Sequence, residues 1–248
     1  MVDKQQIHET IRLLEKVSHT NLHDLIQAKN AVHRTLRLLG TETLDTAFAS
    51  IIESLPALAE SLGKLKPKVV IDNDQLLLKT QSVGFIKDIF THLIRNCVDH
   101  GLESAAERIL NGKLAHGCIN IYMQMEIDRL KIAIKDDGRG IALSKIRQNA
   151  FEKGLIEADA NLNDAETATL IFLPGFSTAE QVTDISGRGV GMDAVLGFAK
   201  KEGGSVKINF LDSKEGFDFR AFEIALYLPP DCAVLNDEPA RLTELVTN

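Results

Sequence analysis

Residues 91–101 read THLIRNCVDHG and decide how the rest of the chain is interpreted. They sit in a helical pattern in which Ile86, Phe90, Leu93, Ile94 and Cys97 fall on one arc. Each four-residue step on a helix turns by ~40° and rises by ~6 Å, so His92, Asn96 and His100 form a shallow ridge. Arg95 and Asp99 stand beside that ridge. Such a face is either solvated or built to hold something polar, and the spacing alone leaves both readings open.

Two glycine clusters follow. KDDGRGI, residues 135–141, comes directly after an expected strand. Gly138 and Gly140 permit a tight turn and close approach to a ligand, and Asp136 points a carboxylate into the same space. A carboxylate suits an exocyclic amine such as that of adenine. SGRGVGMDAV, residues 186–195, places Gly187, Gly189 and Gly191 just before a helix expected from about Val190. Amides exposed at a helix N-terminus attract anions. The G-x-G-x-G spacing, with no strand immediately before it, fails the context of a dinucleotide fold, and no G-x-x-x-x-G-K-[ST] loop exists. Between the clusters, FLPGFSTAEQVTDI (172–185) has the length and composition of a lid.

Working outward, residues 3–39 lack Gly and Pro, and Ile7, Ile11, Leu14, Leu25, Ala28, Val32 and Leu39 recur at helical steps. One long helix is expected there, then a second over 44–63 kinked at Pro56, the two forming an antiparallel hairpin. Its apolar stripes would be buried most simply by a second copy; packing onto the chain's own domain is the alternative. VVID, QLLLKT, CINIYMQME, RLKIAIKDD, SVKINF and FRAFEIALYLP read as strands, with helices over 82–100, near 143–153 and over 190–202. The fold class expected is α+β: a helical hairpin over 1–64 followed by a two-layer α/β sandwich over 65–230. The remainder, 231–248, reads as a tail or linker.

Composition excludes other classes. The 248 residues are 44% hydrophobic and 25% charged, with a net charge of −7 that disfavours a nucleic-acid surface. No apolar run has the length of a membrane span, and no membrane contact is expected. Cys97, Cys118 and Cys232 lack metal-like or redox-like spacing, which fits a reducing, cytoplasmic setting.

Four stretches in order, HLIRNCVDHGLESAAERILNGK, DDGRGI, PGFSTAEQVTDI and SGRGVGMDAV, resemble the ATP-binding catalytic domain of CheA-like histidine kinases, in the superfamily shared with gyrase and MutL. The resemblance spans residues 55–230 and implies a Bergerat-type ATP site. It implies that Asn96 holds Mg²⁺ against the phosphates and that Asp136 reads adenine. Gly138 and Gly140 would back the base. Gly187, Gly189, Gly191 and Met192 would line the phosphate side, with His100, Lys145 and the neighbouring Asp99 on the same face. His92 occupies the position implicated in phosphotransfer. CheA-like sequences can carry a second lysine one turn beyond Lys145; here Asn149 stands there, implying weaker phosphate affinity.

The resemblance further implies a homodimeric protein-histidine kinase core using ATP and Mg²⁺ and acting with a response-regulator receiver domain. No phosphotransfer module is recognisable, so the acceptor is either on a separate histidine phosphotransfer domain or in the hairpin. There His19, His23 and His33 fall off the apolar stripe, and His23 followed by Asp24 resembles the acceptor pair of dimeric sensor kinases. The alternative is an ATP-binding dimeric adaptor without phosphotransfer; a gyrase-type clamp is disfavoured by the lid.

Overall fold

The computed structural model describes residues 4–17, 21–176, 191–236 and 243–245. It opens with helices α1 (Lys4–Lys16) and α2 (Leu22–Leu38). The single helix expected over 3–39 is therefore two. Asn21 caps α2, its side chain accepting from the His23 N–H at 3.0 Å, so the chain starts a new helix there. The halves pack on each other, with the Thr10 and Thr35 hydroxyls 2.8 Å apart. The hairpin thus forms within the segment expected to be its first arm.

The expected second arm behaves differently. After β1 (Thr41–Glu42), helix α3 (Leu44–Ser61) starts at the N-cap Thr43 and runs through Pro56. Leu44, Phe48, Ile51, Ile52 and Leu55 enter the main core rather than a bundle. Phe48 stacks on Phe90 with ring centroids 5.0 Å apart.

Next come β2 (Lys68–Asp72), β3 (Leu76–Lys79) and α4 (Thr80–Asn96), which runs on into a π-helical turn, Cys97–Gly101. A short α5 (Ala105–Leu110) leads to the hairpin β4 (Cys118–Met125) and β5 (Leu130–Asp136). Then follow β6 (Ile141–Ala142), α6 (Leu143–Glu152), α7 (Asp164–Thr169) and α8 (Met192–Lys201). The chain continues through β7 (Ser205–Phe210), β8 (Phe219–Arg220), β9 (Phe222–Leu228), β10 (Ala233–Leu235) and β11 (Thr243–Leu245).

The main sheet has the order β11-β2-β4-β5-β9-β7, antiparallel except where β2 runs parallel to β4. Alternation along β4 buries Ile119, Ile121 and Met123 in the cluster that holds Ile86, Ile89, Phe90 and Leu93 of α4. Helices α3, α4 and α8 share that core, giving one helical layer on one sheet face. The expected two-layer sandwich is the architecture found.

Two local expectations need correction. FRAFEIALYLP is two strands, because Asp212 takes the Ala221 N–H at 2.9 Å and the Arg220 guanidinium, breaking the ladder between them. The tail is partly structured: Ala233, Val234 and Leu235 pair with Leu78, Leu77 and Leu76 of β3, and Cys232 and Ala233 are buried. Buried β3 supplies an open edge that these apolar residues fill. Among the described residues no helix is long and apolar enough to cross a membrane.

Candidate functional site

Helix α4 keeps α-helical spacing to Asn96 and then widens. The Leu102 N–H reaches back five residues to the Cys97 carbonyl at 2.8 Å. A π-helical turn inserts one residue into the helical path, a feature common at functional sites. The even ridge expected from His92 through His100 therefore ends at Asn96. His100 and Asp99 lie on the widened turn, 77% and 44% exposed, with His100 Nε2 3.7 Å from Asp99 Oδ2.

That turn meets the end of β5. Asp136 Oδ1 accepts from the Gly138 N–H at 2.9 Å, and the Arg139 N–H donates to the Gly101 carbonyl at 3.0 Å. The approach is close enough to require glycine. A Cβ at Gly101 would stand 2.6 Å from Asp136 Oδ2, and one at Gly138 2.2 Å from the Gly101 carbonyl oxygen. Gly140 adopts φ +84°, and a Cβ there would lie 2.5 Å from the Arg220 carbonyl oxygen.

Burial raises the Asp136 carboxyl above its ordinary pKa, against the lowering effect of the Gly138 N–H and of a hydrogen bond from the Cys97 thiol. Burial likewise pushes Cys97 up, and the Asp136 charge adds to it. The arrangement is a largely desolvated carboxylate with fixed donors, able to accept from a ligand amine.

On the other side of α4, Asn96 Nδ2 lies 3.2 Å from Met192 Sδ, tying the helix to the first residue of α8. Gly191 is the N-cap of α8, and Met192, whose thioether reaches Asn96, is the first residue of that helix, whose leading amides lack intrahelical partners. Gly187, Gly189 and the lid from residue 177 lie outside the described residues. His92 is half-buried one turn before Asn96; burial and then Arg95 hold its pKa below the ordinary value, favouring neutral imidazole. Lys145 is exposed on α6. No described hydrogen bond joins His92, His100 or Lys145 to Asn96. His23 is exposed in the first turn of α2, its Nε2 2.8 Å from Gln27 Nε2. His19 lies outside the described residues.

Mg²⁺ fits Asn96 in one way only. Among the described residues no group of three His, Cys, Asp or Glu side chains could hold a metal. With the Asn96 amide donor turned to sulfur, its carbonyl oxygen remains as a single hard ligand. One protein oxygen plus phosphate oxygens and water is the environment Mg²⁺ prefers.

Sequence reading missed the supports of this site. Arg108 is 1% exposed, whereas its neighbours Ile109 and Leu110 on α5 are 62% and 86% exposed, the reverse of the hydrophobic expectation. Its guanidinium binds Glu103 at 3.0 Å, Asp137 at 2.7 Å and the Leu114 carbonyl at 2.7 Å. Lys113 donates to Glu103 and to the carbonyls of Asp137 and Gly138, bracing the DDGRG loop. Burial opposes ionisation of Glu103, but the Lys113 hydrogen bond and the nearby cations outweigh it and hold its pKa low. Lys64, just after α3, was also missed: its ammonium donates to the Val98 and Asp99 carbonyls at 2.8 and 2.6 Å. The charges of ESAAERILNGK were visible, but nothing in that string distinguishes a buried arginine from a solvated one.

Residues 83–230 match the family of histidine kinase-, DNA gyrase B- and HSP90-like ATPases, and the chain belongs to that family. Within it, the chain is a CheA-like histidine kinase-type ATP-binding unit. It is 34% identical over 215 residues to the chemotaxis protein CheA of Rhizobium meliloti (strain 1021), covering 87% of this chain and 27% of that protein. It is 39% identical over 201 residues to the gliding motility regulatory protein of Myxococcus xanthus, covering 80% and 25%. The chain thus spans about a quarter of the length of these relatives. The solved catalytic domain of the histidine kinase ThkA aligns over 77% of this chain and 96% of that one at 13% identity, with a TM-score of 0.46.

Proposed function

We propose that the chain is the ATP-dependent core of a protein-histidine kinase, passing the γ-phosphoryl group of ATP to a histidine for relay to a response-regulator aspartate. The observation that carries this reading is the Asn96–Met192 contact, which brings the polar end of α4 against the N-terminus of α8. The desolvated Asp136 stands at the other margin of the same helix end, beside Gly101.

In this reading Asp136 accepts from the adenine amine, and Gly138 and Gly140 let the loop approach the base. The α8 N-terminus at Gly191 and Met192, together with Gly187, Gly189, His100, Lys145 and Asp99, surrounds the phosphates. Mg²⁺, when bound to Asn96 and phosphate oxygens, supplies charge neutralisation at the β- and γ-phosphates. An acceptor imidazole nitrogen forms the new bond to phosphorus as the bond to the β,γ-bridging oxygen breaks and ADP leaves. The proton on the acceptor's other nitrogen passes to a neighbouring base. In this reading His92, whose burial favours the neutral imidazole, serves the incoming nucleophile.

The acceptor is either His23, exposed and followed by Asp24, or a histidine on a separate phosphotransfer domain. A homodimer is supported by α1 and α2, where Ile11, Leu14, Leu22, Ile26 and Leu36 remain 47%, 48%, 72%, 48% and 62% exposed. Since α3 is committed to the main core, we place the dimer module before Leu39 and the ATP-binding domain after it.

Incubation with γ-labelled ATP and Mg²⁺ tests the reading. Acid-labile label on this chain or on an added phosphotransfer domain, absent in Asn96→Ala, is expected. Loss in His23→Gln as well identifies His23 as the acceptor. ATP binding without phosphohistidine on any acceptor would leave the silent adaptor as the function.

A further inference from the structure

Lys64 has no place in the functional reading above, yet its position is tightly specified. Helix α3 closes with the Lys64 N–H bonded to the Ala59 carbonyl at 2.9 Å and the Gly63 N–H to the Glu60 carbonyl at 3.0 Å. With Gly63 at φ +64°, this is a Schellman closure, which fixes the direction in which residue 64 leaves the helix. From there the side chain spans to the end of α4, where its ammonium takes two carbonyl oxygens, those of Val98 and Asp99. Both belong to the π-helical turn.

A helix ending leaves its last carbonyls without intrahelical donors, and a π-turn adds a further mismatch. Lys64 satisfies two of them with one charged donor. The turn it closes follows directly on Asn96, carries Asp99 and His100, and ends at Gly101 against Asp136. The C-termini of α3 and α4 are thereby joined at the residues that shape the phosphate side of the site.

We propose that Lys64 is a positioning residue for nucleotide binding: by clamping the Val98 and Asp99 carbonyls it holds the 97–101 turn in the geometry that presents Asn96 to the metal–phosphate group. This rests on the ATP-site reading above and adds to it a determinant outside the ligand-contacting residues.

The test is calorimetric titration of the whole chain with ATP, in excess Mg²⁺ and again in excess EDTA, for wild type, Lys64→Met, Lys64→Arg and Asp136→Asn. Lys64→Met should lose about tenfold in affinity with Mg²⁺ and clearly less in EDTA, since the lesion falls on the metal–phosphate side; Lys64→Arg should recover most of it. Lys64→Met affinity within about twofold of wild type overturns the inference, and so does equal loss with and without Mg²⁺, which marks a general structural defect. Should Lys64→Met not fold, Lys64→Gln, able to donate to one carbonyl, must show an intermediate, Mg²⁺-dependent loss, and wild-type affinity in it overturns the inference. Failure of wild type to bind ATP, or undiminished binding by Asp136→Asn, refutes the ATP-site reading instead.

Discussion

The amide of Asn96 and the thioether of Met192, 96 residues apart in sequence, meet at 3.2 Å and join the end of α4 to the start of α8. This contact sets which way the Asn96 amide faces. Met192→Ala is therefore expected to weaken Mg·ATP binding by about three- to tenfold through lost orientation. Asn96→Ala, which removes the oxygen itself, should lower it further and abolish phosphotransfer. Fluorescence titration with a nucleotide analogue, with and without Mg²⁺, separates the two, because only the Asn96 variant should lose all Mg²⁺ dependence.

Asp136 makes a pH-dependent prediction. Its folded pKa lies above the unfolded value, chiefly through burial, so the folded state binds this proton more tightly than the unfolded chain does. The contribution to stability is fully present below the unfolded pKa and is lost as pH rises through the folded pKa. Asp136→Asn should thus gain thermal stability over wild type as pH rises above about 4, reaching a plateau past the folded pKa, while losing ATP binding. Melting curves across that range check it; a variant less stable than wild type at neutral pH would contradict the burial account.

Gly101→Ala should damage nucleotide binding without unfolding the domain. The new methyl would sit 2.6 Å from Asp136 Oδ2, so either the carboxylate or the turn must move. Overpacking of this kind costs about 1–3 kcal/mol, readable as a shifted urea midpoint, with affinity for ATP falling disproportionately.

Arg108 is predicted to be the costliest single polar position. Both it and Glu103 are nearly inaccessible, at 1% and 5% side-chain exposure, and removing Arg108 leaves the buried Glu103 carboxylate with Lys113 as its remaining cation. Arg108→Met should destabilise by roughly 3–5 kcal/mol in denaturant unfolding. The Arg108→Met, Glu103→Leu double variant should recover part of that loss, because no buried carboxylate deprived of one of its two cations remains at position 103.

The hairpin should govern assembly independently of the site. Paired substitution Leu14→Glu and Ile26→Glu places charge on an exposed apolar face of α1 and α2. Sedimentation is expected to shift from dimer to monomer, with ATP affinity unchanged to within about twofold. A dimer that persists would place the interface elsewhere.

Periodicity and turn chemistry were enough to place α4, the β4–β5 hairpin, α6 and α8, because each buries one side of a regular pattern. The resemblance marked Asn96, Asp136, Gly138 and Gly140 as candidates, but the close approaches that call for glycine at 138 and 140 come from Gly101 and Arg220, elsewhere in the chain. Tertiary packing decided what local pattern could not. Helix α3 left the hairpin for the core, where Phe48 stacks on Phe90 and Leu44, Ile51, Ile52 and Leu55 are buried. Arg108 went inside because Glu103 and Asp137 were there to pair with it. Gly101 was spoken for by the arrival of Asp136 from another strand, and Lys64 acquired its role only when the ends of α3 and α4 were brought side by side. Regular elements follow from the order of residues along the chain; which side chain closes which turn depends on neighbours that only folding supplies.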